Sequence, residues 1–169
     1  GVQRTKYADY VNPFVGTDFH GHTFPGAAYP FGMVELSPDT REDNWDGCSG
    51  YHYSDSLIKG FSHTHLSGTG CADLCDIRVM PVTGLSALPG GEDDYQSPFS
   101  HSREKASPGY YSVHLDRWDV EAELTVGRRS GVHRYTYPKG SGPQMVIDLV
   151  PRDQMLDAHI TRVGSSAVQ

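Results

Sequence analysis

Apolar and polar positions alternate most clearly in the second half of the chain. In Tyr111-Ser-Val-His-Leu115 apolar side chains alternate with polar ones, the period of a half-buried strand. Val120, Ala122, Leu124 and Val126 share one face of the next run, with Glu121 and Glu123 on the other. Gly131–Tyr137 continues the pattern, and Tyr135 and Tyr137 face the same way. Met145–Val150 is apolar at five of six positions and predicts a fully buried strand. Earlier candidates are Met33–Ser37, Tyr51–Tyr53, Ile58–His63 and Ile77–Val82. Ser107-Pro-Gly109, Pro138-Lys-Gly-Ser-Gly142 and Pro89-Gly-Gly91 are turn chemistry between runs. No window repeats apolar residues at i, i+3, i+4 and i+7 over three turns, so no helix is predicted. Short strands separated by turns predict an all-β fold, a loop-rich antiparallel β-sandwich.

The 169 residues are one domain's length. A 37 % hydrophobic content with 10 Tyr excludes disorder as the main state, and 19 Gly with 11 Pro predicts many loops. No apolar run is long enough for a membrane span. The 14 basic and 21 acidic residues give a net charge of −7, and Arg128-Arg129 is the only basic pair. A phosphate-tracking surface is thereby disfavoured, so no nucleic-acid partner is expected. Cys48, Cys71 and Cys75 are odd in number, which excludes a closed disulfide framework. One disulfide with one thiol left over stays open in an oxidising compartment. The chain begins at Gly1, which is compatible with a processed product.

Chemistry-bearing residues crowd the first half. His20/His22 and His63/His65 are His-x-His pairs, and on a strand such pairs project to one face. A His/carboxylate site with Asp18, Asp73 or Asp76 is one reading. The plainer reading is that these imidazoles brace irregular turns, and the pairs are not expected to hold zinc. There is no HExxH helix and no GxSxG elbow, and Ser67 lies in a flexible Leu-Ser-Gly-Thr-Gly turn. Trp45 sits between Asp43 and Asp46 in a Gly-bounded loop. An indole face beside carboxylates and a carboxamide suits a sugar, with ring stacking and hydroxyl acceptors together. Trp118 reads as core.

Several blocks, in order, resemble the amino-terminal region of glycoside hydrolase family 92. They are Val11-Asn-Pro-Phe-Val-Gly-Thr17, Gly21-His-Thr-Phe-Pro-Gly26, Tyr29-Pro-Phe-Gly-Met33, Leu36-Ser-Pro-Asp-Thr40 and Tyr51-His-Tyr-Ser-Asp55. Gly60-Phe-Ser-His-Thr-His-Leu-Ser-Gly-Thr-Gly70, Ser107-Pro-Gly-Tyr-Tyr111 and residues 148–153 complete the set. The resemblance implies bacterial, calcium-dependent, exo-acting α-mannosidases in two domains. On this resemblance residues 1–169 are expected to be the amino-terminal β-sandwich, supersandwich-like and incomplete. A carboxy-terminal (α/α)6 barrel outside this chain carries the catalytic acid, the base and the Ca2+ ligands.

The implied reaction is inverting hydrolysis of a mannose-containing glycan, with α-1,2 linkages the expected substrate. No catalytic residue and no metal ligand is assigned here. The implied contribution is a substrate shell: Trp45 as stacking platform, Gly21 and His22 in a close-approaching turn, and Asp18, Asp43, Asn44 and Asp46 as hydroxyl acceptors. His63 and His65 are further candidates, with bracing of the Leu66–Gly70 loop as their alternative. Export to the periplasm or cell surface is expected. Two other classes compete: a free-standing carbohydrate-binding sandwich, and a structural domain whose His-rich loops face a partner domain.

Overall fold

The computed structural model describes residues 6–41, 43–149 and 154–169. Its strands are β1 (Ala27–Ala28), β2 (Glu35–Asp39), β3 (Leu57–Ile58), β4 (Gly60–Ser62), β5 (Arg78–Thr83), β6 (Ser97–Pro98) and β7 (Glu104–Ser107). They continue as β8 (Tyr110–Leu115), β9 (Val120–Val126), β10 (Gly131–Thr136), β11 (Pro143–Asp148), β12 (Arg162–Val163) and β13 (Ala167–Val168). Among the described residues the only helical turns are short 3-10 segments at Tyr7–Tyr10, Glu92–Asp94 and His101–Arg103. The fold is all-β, as the alternation predicts.

Two antiparallel sheets make the sandwich. One has the order β1-β2-β4-β5-β11, the other β10-β9-β8-β7. Hairpin turns set the register of the second sheet. Pro108 and Gly109, the latter at φ +76°, join paired Ser107 and Tyr110. Proline followed by a left-handed glycine is the sequence of a type II turn. Gly127 donates to the Ser130 carbonyl at 2.8 Å and closes β9 onto β10, with Val126 opposite Gly131.

Leu36, Phe61, Met80 and Val82 of the first sheet meet Tyr111, Val113, Leu115, Val120, Ala122 and Leu124 of the second in one core. β9 alternates as expected, burying Val120, Ala122 and Leu124 while Glu121 and Glu123 stay partly exposed. Each such buried aliphatic side chain contributes about 1.5–3 kcal/mol through removal from water. Tyr135 and Tyr137 both pack against this core, and Trp118 is buried with its indole N–H donating to the Tyr95 carbonyl at 2.8 Å.

Three expectations change. Tyr51–Tyr53 is not a strand; Tyr51 and His52 are buried in irregular backbone, with Gly50 at φ +98° just before them. The Ile58–His63 run is split into β3, which pairs with β6, and β4, which pairs with β2. Gly60, at φ +150°, lies at this switch between sheets. Met145–Val150 is not a fully buried strand: among the described residues β11 is an edge that pairs only with β5, and Met145 is 54 % exposed. Val150 and residues 151–153 lie outside the described residues. Cys48 and Cys75 are buried and Cys71 is exposed, with no disulfide joining the three to one another.

Candidate functional site

Three loops meet around Trp45. The first begins at Asn12, whose side chain accepts from the Phe14 amide at 3.0 Å and starts a series of tight turns. Gly21 then donates to the Asp18 carbonyl at 2.9 Å, and Thr23 donates to the Gly16 carbonyl at 3.2 Å, so the chain folds back on itself. A Cβ on Gly21 would stand 1.9 Å from the Gly16 carbonyl oxygen, which is impossible. Glycine is therefore required at this close approach, and it places His20 and His22 on either side of the turn.

The second loop carries Trp45 and Asp46. His20 donates through Nδ1 to Asp46 Oδ1 at 2.8 Å. The His22 ring meets the Trp45 indole edge to face, with centroids 4.4 Å apart, and His20 lies 5.6 Å from the same indole. The third loop closes the cluster. Gly68 donates to the His22 carbonyl at 2.6 Å, and a Cβ on Gly70 would come within 2.9 Å of Trp45 Nε1. Gly70 is also at φ +66°, so backbone and packing both select glycine there.

Trp45 nonetheless remains 56 % exposed, so it is held by its neighbours while a large part of it stays open. The hydrogen bond from His20 holds the Asp46 carboxyl below the usual carboxylate range. It is an anion at neutral pH, fitted to accept from hydroxyls and unfitted to act as a proton donor. His22 Nε2 is shielded from solvent and has no hydrogen-bond partner.

The other expected residues are placed as follows. Asp18 is exposed; it caps the Phe19 amide at 2.8 Å and lies 4.0 Å from His52 Nε2. Asn44 is exposed on the Trp45 loop. Asp43 lines a different feature, a cleft of about 1440 Å³ shared with Lys59, Leu88, Tyr95, Met145 and Asp148. None of His20, His22 or Trp45 lines that cleft. His63 turns toward the second sheet, with Nδ1 2.8 Å from the Ile77 carbonyl and Nε2 2.9 Å from His133 Nε2. His65 is buried, with Nδ1 2.7 Å from the Glu35 carbonyl and Nε2 2.8 Å from Asp39 Oδ1.

The structure thus brings Gly21, His22, Trp45 and Asp46 together. It sets Asp43, His63 and His65 apart from them. Sequence reasoning missed His20 and Gly70 as members of the cluster. The His-x-His spacing pointed at His20, but for a shared metal; the pair instead divides between Asp46 and Trp45. Nothing in the local sequence marks Gly70 as the glycine beneath an indole 25 positions earlier.

Comparison with known proteins agrees with this architecture. The profile of the glycosyl hydrolase family 92 N-terminal domain matches residues 10–169. A solved family GH92 α-mannosidase from Bacteroides thetaiotaomicron is 48 % identical, with a TM-score of 0.80, over 88 % of this chain and 21 % of its own. A family GH92 inverting mannosidase from Bacteroides thetaiotaomicron VPI-5482 is 32 % identical, with a TM-score of 0.69, over 86 % of this chain and 20 % of its own. An uncharacterized secreted glycosidase of Arthroderma benhamiae is 29 % identical over 151 residues, 83 % of this chain and 19 % of the relative. The chain spans about a fifth of the length of these relatives. No helix among the described residues is long and apolar enough to cross a membrane. The chain belongs to glycosyl hydrolase family 92 and matches the N-terminal domain of that family.

Proposed function

We propose that this domain is the substrate-shell half of an exported, exo-acting, inverting α-mannosidase that hydrolyses α-1,2-linked mannosides of glycans. The observation that carries the reading is the half-open indole of Trp45, edged by His22 and beside the anionic Asp46. A pyranose presents C–H groups on one face and hydroxyls around its rim. Indole and carboxylate answer these two kinds of surface side by side. Gly21 and Gly70 let the loops pack tightly around Trp45, while Asp18 and Asn44 stand exposed on the first and second of them. The relatives, an α-mannosidase, an inverting mannosidase and a secreted glycosidase, support the sugar, the stereochemistry and the export. Asp43 serves at the rim in this reading, and His63 and His65 act as braces for the 66–70 loop.

Catalysis by inversion needs two carboxyl groups on opposite faces of the sugar, one protonated and one ionised, with room between them for water. Asp46 is held in its ionised form and supplies no proton. The family resemblance, rather than any residue here, assigns the acid and base to an (α/α)6 barrel beyond this sandwich. Calcium prefers six to eight oxygen ligands. Among the described residues the one convergence of three His, Cys, Asp or Glu side chains is Asp39, His65 and Cys75, a mixed and buried set that does not suit it. On the family resemblance we assign calcium to the barrel, and no step runs through it.

The test is an assay of the full-length protein beside residues 1–169 alone on an α-1,2-mannobioside, followed by NMR. The full-length protein is expected to release mannose first as the β-anomer, and the 1–169 chain to release none. Turnover by the 1–169 chain, or first release of the α-anomer, would overturn the assignment.

A further inference from the structure

The His63/His65 spacing suggests a shared metal, yet the two rings part company, and His65 finds other company in the interior. Asp39 ends β2, His65 follows β4, and Cys75 precedes β5. All three side chains are buried, and their ligand atoms lie within 4.8 Å of one another. Each type is a ligand for a borderline-soft cation: a carboxylate oxygen, an imidazole nitrogen and a thiolate sulfur.

The surroundings resemble the outer shell of a metal centre. His65 Nδ1 is fixed on the Glu35 carbonyl at 2.7 Å, which aims Nε2 inward. Arg78 Nε donates to Asp39 Oδ2 at 3.0 Å and leaves Oδ1 on the side of His65. Arg78 is itself compensated by Glu92 at 3.2 Å. Ser62 Oγ donates to Asp39 Oδ1 at 2.8 Å and lies 3.1 Å from His65 Nε2, holding both groups in place. Gly50 keeps the shared space open. A Cβ there would stand 2.9 Å from Cys75 Sγ, 2.8 Å from His65 Cδ2 and 3.1 Å from Asp39 Oδ1. The backbone that delivers Cys75 is strained, with Leu74, Cys75 and Ile77 at φ +67°, +64° and +53°. Strain of this kind persists only where the surrounding structure over-determines it.

We propose that Asp39, His65 and Cys75 form a buried zinc site that staples the 63–77 loop to β2. Without metal, His65 donates from Nδ1 to Glu35 and from Nε2 to Asp39, so the ring is a cation against the Asp39 anion. Zinc takes the place of two protons, one from His65 Nε2 and one from Cys75 Sγ, both released to solvent. The +2 ion with two anionic ligands and a neutral imidazole has the same net charge as the ion pair and thiol it replaces. With Zn–N and Zn–O bonds of roughly 2.0–2.1 Å, the 2.8 Å His65–Asp39 separation opens to about 3.3 Å. That is a shift of about half an ångström, within side-chain reach.

The test is metal binding by residues 1–169, stripped with chelator, reloaded with zinc and desalted. The expected result is about one zinc per chain by mass spectrometry of the metal, with two protons released per zinc in weak buffer. Cobalt in place of zinc is expected to give a thiolate charge-transfer band. Cys75→Ser is expected to abolish that band. Its zinc affinity is expected to fall by more than the roughly 10- to 100-fold that loss of an outer partner costs. Cys71→Ser is expected to leave both unchanged. Failure of the wild-type chain to retain zinc, a cobalt complex without the sulfur band, or equal loss in Cys71→Ser would overturn the proposal. The wild-type spectrum and proton count decide the matter even if Cys75→Ser fails to fold.

Discussion

His20/His22 and His63/His65 share one spacing and have opposite fates. The first pair sits on a loop that turns at Gly21; one ring bonds the carboxylate of Asp46 and the other edges the indole of Trp45. The second pair follows β4 and enters the fold. His63 meets His133, while His65 is buried against Asp39, Ser62 and Cys75. Spacing fixes which side chains can share a face only where the backbone is a regular strand. Here each pair lies in irregular backbone, and the neighbours decide. The first pair shapes a surface that can meet a ligand; the second ties the surface loops to the sandwich.

Removal of His65 gives the largest effect that separates the pairs. His65→Ala leaves the Asp39 carboxylate buried beside Arg78 without its second partner. The expected loss is about 3–5 kcal/mol in urea unfolding. His20→Ala, at a side chain 57 % exposed, is expected to leave the urea midpoint unchanged and to shift only Trp45 fluorescence. Equal destabilisation by the two substitutions would break the contrast.

Next in size is the pH dependence of the interior pair in chelator-treated protein. Burial raises Asp39, but His65 and Arg78 hold it below its ordinary value, so its contribution is present above about pH 4 and lost as pH falls. His65 stands near 10 when folded and near 6.5 when unfolded. Its contribution is full below pH 6.5 and is lost as pH rises through 10. Unfolding free energy measured against pH is therefore expected to peak between about 4 and 6.5 and to decline across 6.5–10 by a few kcal/mol. In His65→Ala the alkaline decline is expected to vanish. A flat profile in the wild-type chain would show that the imidazole is neutral.

The sandwich was legible where period-2 alternation had one wet face. Val120, Ala122 and Leu124 face in and Glu121 and Glu123 out because β9 has one core face and one solvated face. β8 departs from this, for Ser112 and His114 are buried as well as Tyr111, Val113 and Leu115. The apolar Met145–Val150 run misled because composition does not tell a central strand from an edge. At the candidate site, Trp45 and Gly21 stood out by residue type. Gly70 and the His20–Asp46 hydrogen bond did not, since both depend on loops brought together across 25 or 26 positions. Cys75 lies in Cys71-Ala-Asp-Leu-Cys75, which lacks the CxxC spacing that would mark a metal ligand in the sequence. Its partners Asp39 and His65 come from separate segments, which only the tertiary fold unites.

The central claim is that the Trp45 loop faces sugar, and it is tested most directly by kcat/KM of full-length Trp45→Ala on an α-mannoside. Loss of aromatic stacking worth about 1.4 kcal/mol predicts a fall of about tenfold. The half-exposed indole leaves thermal stability changed by less than about 0.5 kcal/mol. An unchanged kcat/KM in a folded Trp45→Ala enzyme would contradict the account.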